Sequence, residues 1–186
     1  MNLFDRAVEF AVKAHEGQLR KDKSLFILHP LEVAVIAGTM TRDEAVLAAA
    51  VLHDTVEDTP VTADDILSNF GERVAELVAS ETEDKRPEQK ASDTWLIRKE
   101  ESLEVLKNCD DEGIKILWLS DKLSNMRAFV REYENVGDEF FSRFNQPDPE
   151  KQKWYFITIE ELLSDLEGYG AYSEYKTLVH RLFDRF

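Results

Sequence analysis

The run Ala45-Val46-Leu47-Ala48-Ala49-Ala50-Val51-Leu52 constrains this chain more than any other segment, because an uncharged apolar stretch of that length demands burial. Read as a helix, it ends in His53-Asp54, and a second acidic pair, Glu57-Asp58, follows four residues on. An adjacent imidazole and carboxylate closing a buried segment need a compensating ligand or charge. His29 lies upstream in Leu28-His29-Pro30, and Asp121 downstream in Leu119-Ser120-Asp121-Lys122-Leu123. Two His and two Asp at separated positions suit a mixed nitrogen and oxygen metal site, with Glu57 and Asp58 left over for proton chemistry.

The bulk of the sequence narrows the setting. A length of 186 residues is expected to form one domain, residues 1–186, with room for a real core. Only 7 Gly and 5 Pro favour helices over a turn-rich β fold. A net charge of −15 argues against a nucleic-acid surface, which needs clustered Lys and Arg. It also makes any local basic cluster notable, since an anionic substrate must enter against the overall field. Cys109 is the only cysteine, which favours a reducing compartment. Asp5, Arg6 and Glu9 interrupt the N-terminal segment, so it reads as no signal peptide, and no apolar stretch reaches the length of a membrane span. The expectation is a cytoplasmic protein with no membrane or nucleic-acid partner; a homo-oligomer stays open.

Periodicity fills in an all-α architecture. Phe4, Ala7, Val8, Ala11, Val12 and His15 recur at helical spacing, to a stop near Gly17. Arg20 to Ser24 is polar and reads as a loop. Pro30 suits the first turn of a second helix that continues to Gly38. Thr41 and Glu44 have capping-box spacing, which predicts that the His-Asp helix starts there. Thr59-Pro60 breaks the chain, Thr62 caps another helix, and Gly71 punctuates before Val74, Leu77 and Val78. Arg86 to Thr94 reads as a charged loop before a helix over 95–108. Asp110-Asp111 precede a long helix on which Ile114, Leu117, Trp118 and Asp121 share a face. A turn at 145–149, a helix over 151–166 and a last amphipathic helix to Phe186 complete the chain.

The metal-like set resembles that of the HD-domain phosphohydrolases. The likeness narrows with Ala14-His15-Glu16-Gly17-Gln18-Leu19-Arg20-Lys21, Phe26-Ile27-Leu28-His29-Pro30 and Ala49-Ala50-Val51-Leu52-His53-Asp54-Thr55-Val56-Glu57-Asp58-Thr59, which look like the hydrolase half of RelA/SpoT proteins. Asn69-Phe70-Gly71, Thr82 to Lys85, and Leu119 to Arg127 continue it in order. With no synthetase half following, the chain most resembles the stand-alone small alarmone hydrolases. Three segments depart from the family pattern, one of them the unusually acidic Ser80-Glu81-Thr82-Glu83-Asp84-Lys85. Lys23-Ser24-Leu25-Phe26 replaces Gly-Glu-Pro-Tyr, and Asp121-Lys122-Leu123-Ser124-Asn125 replaces Asp-Arg-Leu-His-Asn.

The resemblance implies a single helical HD-type domain that removes the 3′-pyrophosphate of guanosine polyphosphates such as ppGpp and pppGpp. His29, His53, Asp54 and Asp121 would hold the metal. Imidazoles with carboxylates suit a divalent ion of expanded coordination such as Mn²⁺, whereas Zn²⁺ prefers four-coordinate sites. Glu57 and Asp58 fall one helical turn beyond His53 and Asp54 if the helix persists, a placement suited to proton transfer. Arg20 and Lys21 would recognise phosphate, Arg by its fork and Lys as a point charge. Ser24, Asn125 and Tyr155 are further substrate-contact candidates, Tyr155 by stacking on the nucleotide. Lys23, Lys85 and Arg127 could add charge, while His15 reads as structural. Two alternatives stand beside this: a hydrolase of another phosphorylated nucleotide (an adenosine alarmone, or NADPH at its 2′-phosphate), and a non-catalytic module that binds a nucleotide or partner.

Overall fold

The Ala-rich run forms α3 (Glu44–Leu52), and small side chains let its neighbours come close. The computed structural model describes residues 1–186 and is all-α, as composition and periodicity predict. Residues 46 and 48–52 of α3 are buried, and α1 (Leu3–Ala14), α2 (Leu28–Ala37) and α6 (Glu72–Glu81) pack against it. A helix apolar all round must be enclosed in this way. Between α3 and α6 come the short α4 (Thr55–Asp58) and α5 (Ala63–Phe70). Then follow α7 (Ala91–Lys107), α8 (Glu112–Val136), α9 (Pro149–Leu162) and α10 (Gly170–Phe183). A 3-10 segment, Gly137–Arg143, follows α8, and a shorter one, Ser164–Leu166, follows α9. No helix is long and apolar enough to cross a membrane.

Contacts divide the chain into two compact units. The first comprises Met1–Thr82 with Asp111–Asp121, the second Glu83–Asp110 with Lys122–Phe186. In the first unit, the start of α8 is fixed by charge and by close approach. Asp111 accepts the Gly113 amide at 2.8 Å and the Ile114 amide at 3.3 Å, and receives a two-pronged ion pair from Arg73 at 2.6 and 2.8 Å. Gly113 sits where a Cβ would lie 2.8 Å from Arg73 Nη2 and 2.9 Å from Val46 Cγ2, so a larger residue requires the Arg73 end and either the Val46 methyl or the helix itself to shift. Further along α8, Trp118 Nε1 donates to Ser80 O at 3.2 Å.

The second unit is built on aromatic contacts. Phe156 lies against Phe129, Tyr155 and Phe183, and Phe140 meets Phe129, Phe141 and Phe144. Tyr175 and Tyr172 hydroxyls on α10 donate to Phe156 O and Glu160 O of α9, tying those helices together. Inside the acidic segment before α7, Glu83 gathers Arg98 Nη1 at 2.7 Å, Lys99 Nζ at 2.5 Å and the Ser102 hydroxyl at 3.3 Å.

Four local readings are corrected. The cap of α3 is Asp43, which accepts the Ala45 amide at 2.8 Å, and Thr41 instead accepts the Asp43 amide. The helix does not persist through the acidic pair: α3 stops at Leu52, and α4 starts only at Thr55. α7 begins at Ala91, inside the segment read as loop, and α9 ends at Leu162, four residues early. Pro30 lies in the first turn of α2, which starts at Leu28, and Thr62 caps α5 with a complete capping box to Asp65, both as expected.

Glu83 carries the clearest stability prediction. Burial alone would raise its carboxyl, but Lys99, then Lys122 and Arg98, hold it below the usual carboxylate range. Its contribution is therefore present at neutral pH and lost as pH falls through that lowered value. Glu83→Ala should cost roughly 3–5 kcal/mol in urea unfolding by stranding the buried cations. Glu101→Ala, which removes the exposed carboxylate of the pair with Arg86, should shift the urea midpoint far less than Glu83→Ala.

Candidate metal centre

Four elements of the first unit deliver the proposed ligands. His29 lies in the first turn of α2, where Pro30 at the next position fits because the amides of a first turn have no intrahelical partner. His53 caps the C-terminus of α3, Asp54 precedes α4, and Asp121 stands on α8, ten residues beyond its anchored Asp111 cap. The ligand atoms of His29, His53 and Asp121 all lie within 4.8 Å of one another. His29 Nε2 is 3.0 Å from Asp121 Oδ1 and 3.5 Å from Asp54 Oδ2. His53 Nε2 is 3.2 Å from Asp54 Oδ2 and 3.5 Å from Asp121 Oδ1. The two imidazoles meet edge to face, with centroids 5.2 Å apart.

The break between α3 and α4 has a local reason. His53 Nδ1 donates to Ala50 O at 2.9 Å, and Thr55 Oγ1 donates to Leu52 O at 2.6 Å, so side chains take the last carbonyls of α3. With its Nδ1 proton spent on Ala50, His53 presents the Nε2 lone pair to the cluster, the arrangement that metal-binding histidines use. That Nε2 is buried and, despite the nearby carboxylates, makes no aligned hydrogen bond. Burial pushes the His53 imidazole down, but Asp54 and Asp121 outweigh it and hold the group well above its ordinary value. Burial likewise raises Asp54, and the imidazoles, His53 first, pull it below its ordinary value. The two carboxylates favour positive charge at this point, a demand that a divalent cation on the Nε2 lone pair would meet. The donor set and the orphaned Nε2 fit such an ion.

The remaining candidates are distributed as follows. Glu57 is half-buried and Asp58 exposed on α4, where the Asp58 amide still donates to Asp54 O at 2.9 Å. Arg20 and Lys21 lie in a turn closed by a Leu19–Leu25 bridge and by the Arg20 amide donating to Ser24 O. Ser24 commits its hydroxyl and amide to Asp22 Oδ1, at 2.6 and 2.9 Å. Asn125 follows Asp121 by one turn of α8 and falls in the second unit. Tyr155, also in that unit, is only 3% exposed, with Trp95 and Phe156 against its ring and Lys99 Nζ 4.7 Å from its centroid. The Glu83 hub was not singled out from sequence as a cluster; its only signal was an unusually acidic segment.

The HD domain family matches residues 7–144, and the chain belongs to that family. Among relatives, it is 35% identical over 184 residues to guanosine-3′,5′-bis(diphosphate) 3′-pyrophosphohydrolase MESH1 of Xenopus tropicalis, covering 96% of this chain and 92% of that one. It is 38% identical over 123 residues to a guanosine-3′,5′-bis(diphosphate) 3′-pyrophosphohydrolase of Aquifex aeolicus. That match covers 66% of this chain but 17% of the longer protein, and a GTP pyrophosphokinase of Myxococcus xanthus is likewise matched over 17% of its length. Among solved structures, lmo0812 of Listeria monocytogenes superposes with a TM-score of 0.70 at 34% identity, over 84% of this chain and 94% of that one. A metazoan ortholog of SpoT that hydrolyses ppGpp gives a TM-score of 0.71 at 26% identity, over 97% and 95% of the two chains.

Removing one ligand charge tests the centre directly. Asp121→Asn and Asp54→Asn should each weaken Mn²⁺ binding by more than the roughly 10- to 100-fold typical of losing an outer partner. Calorimetry and metal analysis after dialysis read this without any assay of turnover. Unchanged binding in both variants would remove these carboxylates from the ligand set.

Proposed function

We propose that this protein is a metal-dependent phosphohydrolase that removes the 3′-pyrophosphate from (p)ppGpp-like nucleotides in the cytoplasm, with residues 1–186 acting as one domain. The observation that carries the reading is the convergence of His29, His53 and Asp121 on one point, beside Asp54 and just ahead of an acidic turn. The name of the full-length Xenopus relative and the activity of the metazoan structure supply the substrate class. His29, His53, Asp54 and Asp121 would hold the ion, for which Mn²⁺ is the proposed identity. When bound, such an ion neutralises phosphoryl charge and acidifies water.

The chain's own residues supply the rest. In the reaction, water forms a bond to the phosphorus attached at the ribose 3′-oxygen, the bond to that oxygen breaks, and pyrophosphate leaves. Glu57 would orient the water and take its proton, and with Asp58 return one to the departing 3′-oxygen. Arg20 and Lys21 would bind the phosphates. Ser24 would shape that turn through Asp22 while offering a weaker contact of its own. Asn125 would contact ribose or phosphate. Tyr155 would stack on the nucleotide only with its ring freed, since that ring is buried and packed against Trp95 and Phe156.

A substrate panel tests the reading. With Mn²⁺, purified protein should release pyrophosphate from ppGpp and pppGpp, and a chelator should abolish the reaction. Preferential cleavage of an adenosine alarmone or of the NADPH 2′-phosphate would move the substrate class within the same chemistry. Binding without turnover of any panel member would leave a non-catalytic module.

Two variants separate chemistry from recognition. Glu57→Gln should retain metal and nucleotide while losing on the order of 10²-fold or more in kcat. Normal turnover in that variant would make Glu57 structural. Replacing Arg20 and Lys21 together with Ala should mainly raise KM, by about 10- to 100-fold for a lost charge-assisted contact. The penalty should shrink with substrates carrying fewer phosphates.

A further inference from the structure

The turn that carries Arg20 and Lys21 is tied at both ends to one buried histidine. His15 caps α1 and is 3% exposed. Its Nδ1 lies 2.8 Å from Gln18 Oε1, just before the turn. Its ring stacks on Phe26, just after the turn, with centroids 4.6 Å apart and planes at 22°. Phe26 in turn meets the His29 ring edge-on at 6.3 Å. Backbone bonds follow the same path: Gln18 N to His15 O, Phe26 N to Gln18 O and His29 N to Phe26 O, each at 3.0 Å. The segment between is closed on itself by the Leu19–Leu25 bridge.

His15 is an expensive choice for a space-filler. Its Nε2 is buried without a hydrogen-bond partner, a cost that an apolar ring of similar size would avoid. The polar ring does what a Leu or Phe cannot, since it holds Gln18 by a hydrogen bond and Phe26 by its face at once. It also stands outside the group formed by His29, His53 and Asp121.

We propose that His15 is a positioning residue, which clamps the ends of the Arg20–Lys21 turn and fixes that turn in register with His29. The inference rests on the reading of Arg20 and Lys21 as phosphate contacts for its kinetic consequence, but not for the clamp itself. In His15→Ala, amide hydrogen exchange over residues 19–25 should speed up several-fold more than over α3. KM for ppGpp should rise about three- to tenfold, the scale of a single hydrogen bond or ring contact because the loss reaches substrate only through the turn, with kcat and bound Mn²⁺ within about twofold. His15→Phe restores the ring stack alone and should recover part of both effects, and Gln18→Ala should reproduce the remainder.

Unchanged exchange and unchanged KM in a folded His15→Ala protein would overturn the proposal. So would a uniform loss of protection with KM intact, which is the mark of a filler. If His15→Ala does not fold, His15→Phe and Gln18→Ala carry the test, and wild-type exchange over 19–25 in both would overturn it. Exchange needs no substrate. A wild-type protein that hydrolyses nothing on the panel would therefore sink the functional reading while the clamp is judged on its own.

Discussion

Two imidazoles and two carboxylates gathered at the end of an apolar helix set the electrostatic problem of the first unit. Three of the four residues are almost fully buried, and Asp54 is exposed by about a fifth. Carboxylates brought this close repel unless a positive group stands between them. The arrangement therefore needs either a protonated ring or a cation, and the Ala50 carbonyl, by holding the Nδ1 proton of His53, leaves the inward nitrogen available to a cation. What surrounds the cluster follows from that requirement. Elements that present ligands must be fixed to within a fraction of an ångström, which small-residue packing around α3 and the Arg73–Asp111 anchor of α8 accomplish.

Much of the fold was legible because its punctuation is chemical. Pro30, Thr62 with Asp65, Gly71 and the Asp110-Asp111 pair each mark a boundary through a donor, an acceptor or a backbone angle that their own residue type dictates. Gly71, at φ 87°, occupies a conformation other residues rarely adopt. The errors fall where two signals of the same kind compete. Thr41 and Asp43 can both cap, and the carboxylate nearer the helix wins. The break after Leu52 carries no Gly or Pro, because its cause is the pair of side-chain bonds from His53 and Thr55 to carbonyls of α3.

The convergence of His29, His53, Asp54 and Asp121 was legible for a different reason: His and Asp next to apolar runs are out of place unless something compensates them. Charge clusters that compensate themselves leave no such trace. Glu83 with Arg98, Lys99 and Ser102 spans two elements separated by the loop before α7, and periodicity cannot connect them. His15 shows the same limit from the other side, since its helical spacing marks it as inward-facing without showing that Gln18 and Phe26 share its two faces.

Gly113 acts as a fulcrum. From it to Asp121 the rigid α8 backbone runs about 12 Å at the usual helical rise. An added methyl group would displace the end of Arg73 and press on the buried Val46 methyl, and where Val46 does not give way the rod must tilt. Over that length, a tilt of roughly 5° swings the far end by about 1 Å. Displacements of that size at a reacting centre are costly in rate. The placement of a carboxylate is thus governed from more than two turns away by a residue that brings no functional group at all, and its contribution consists of the volume it leaves empty.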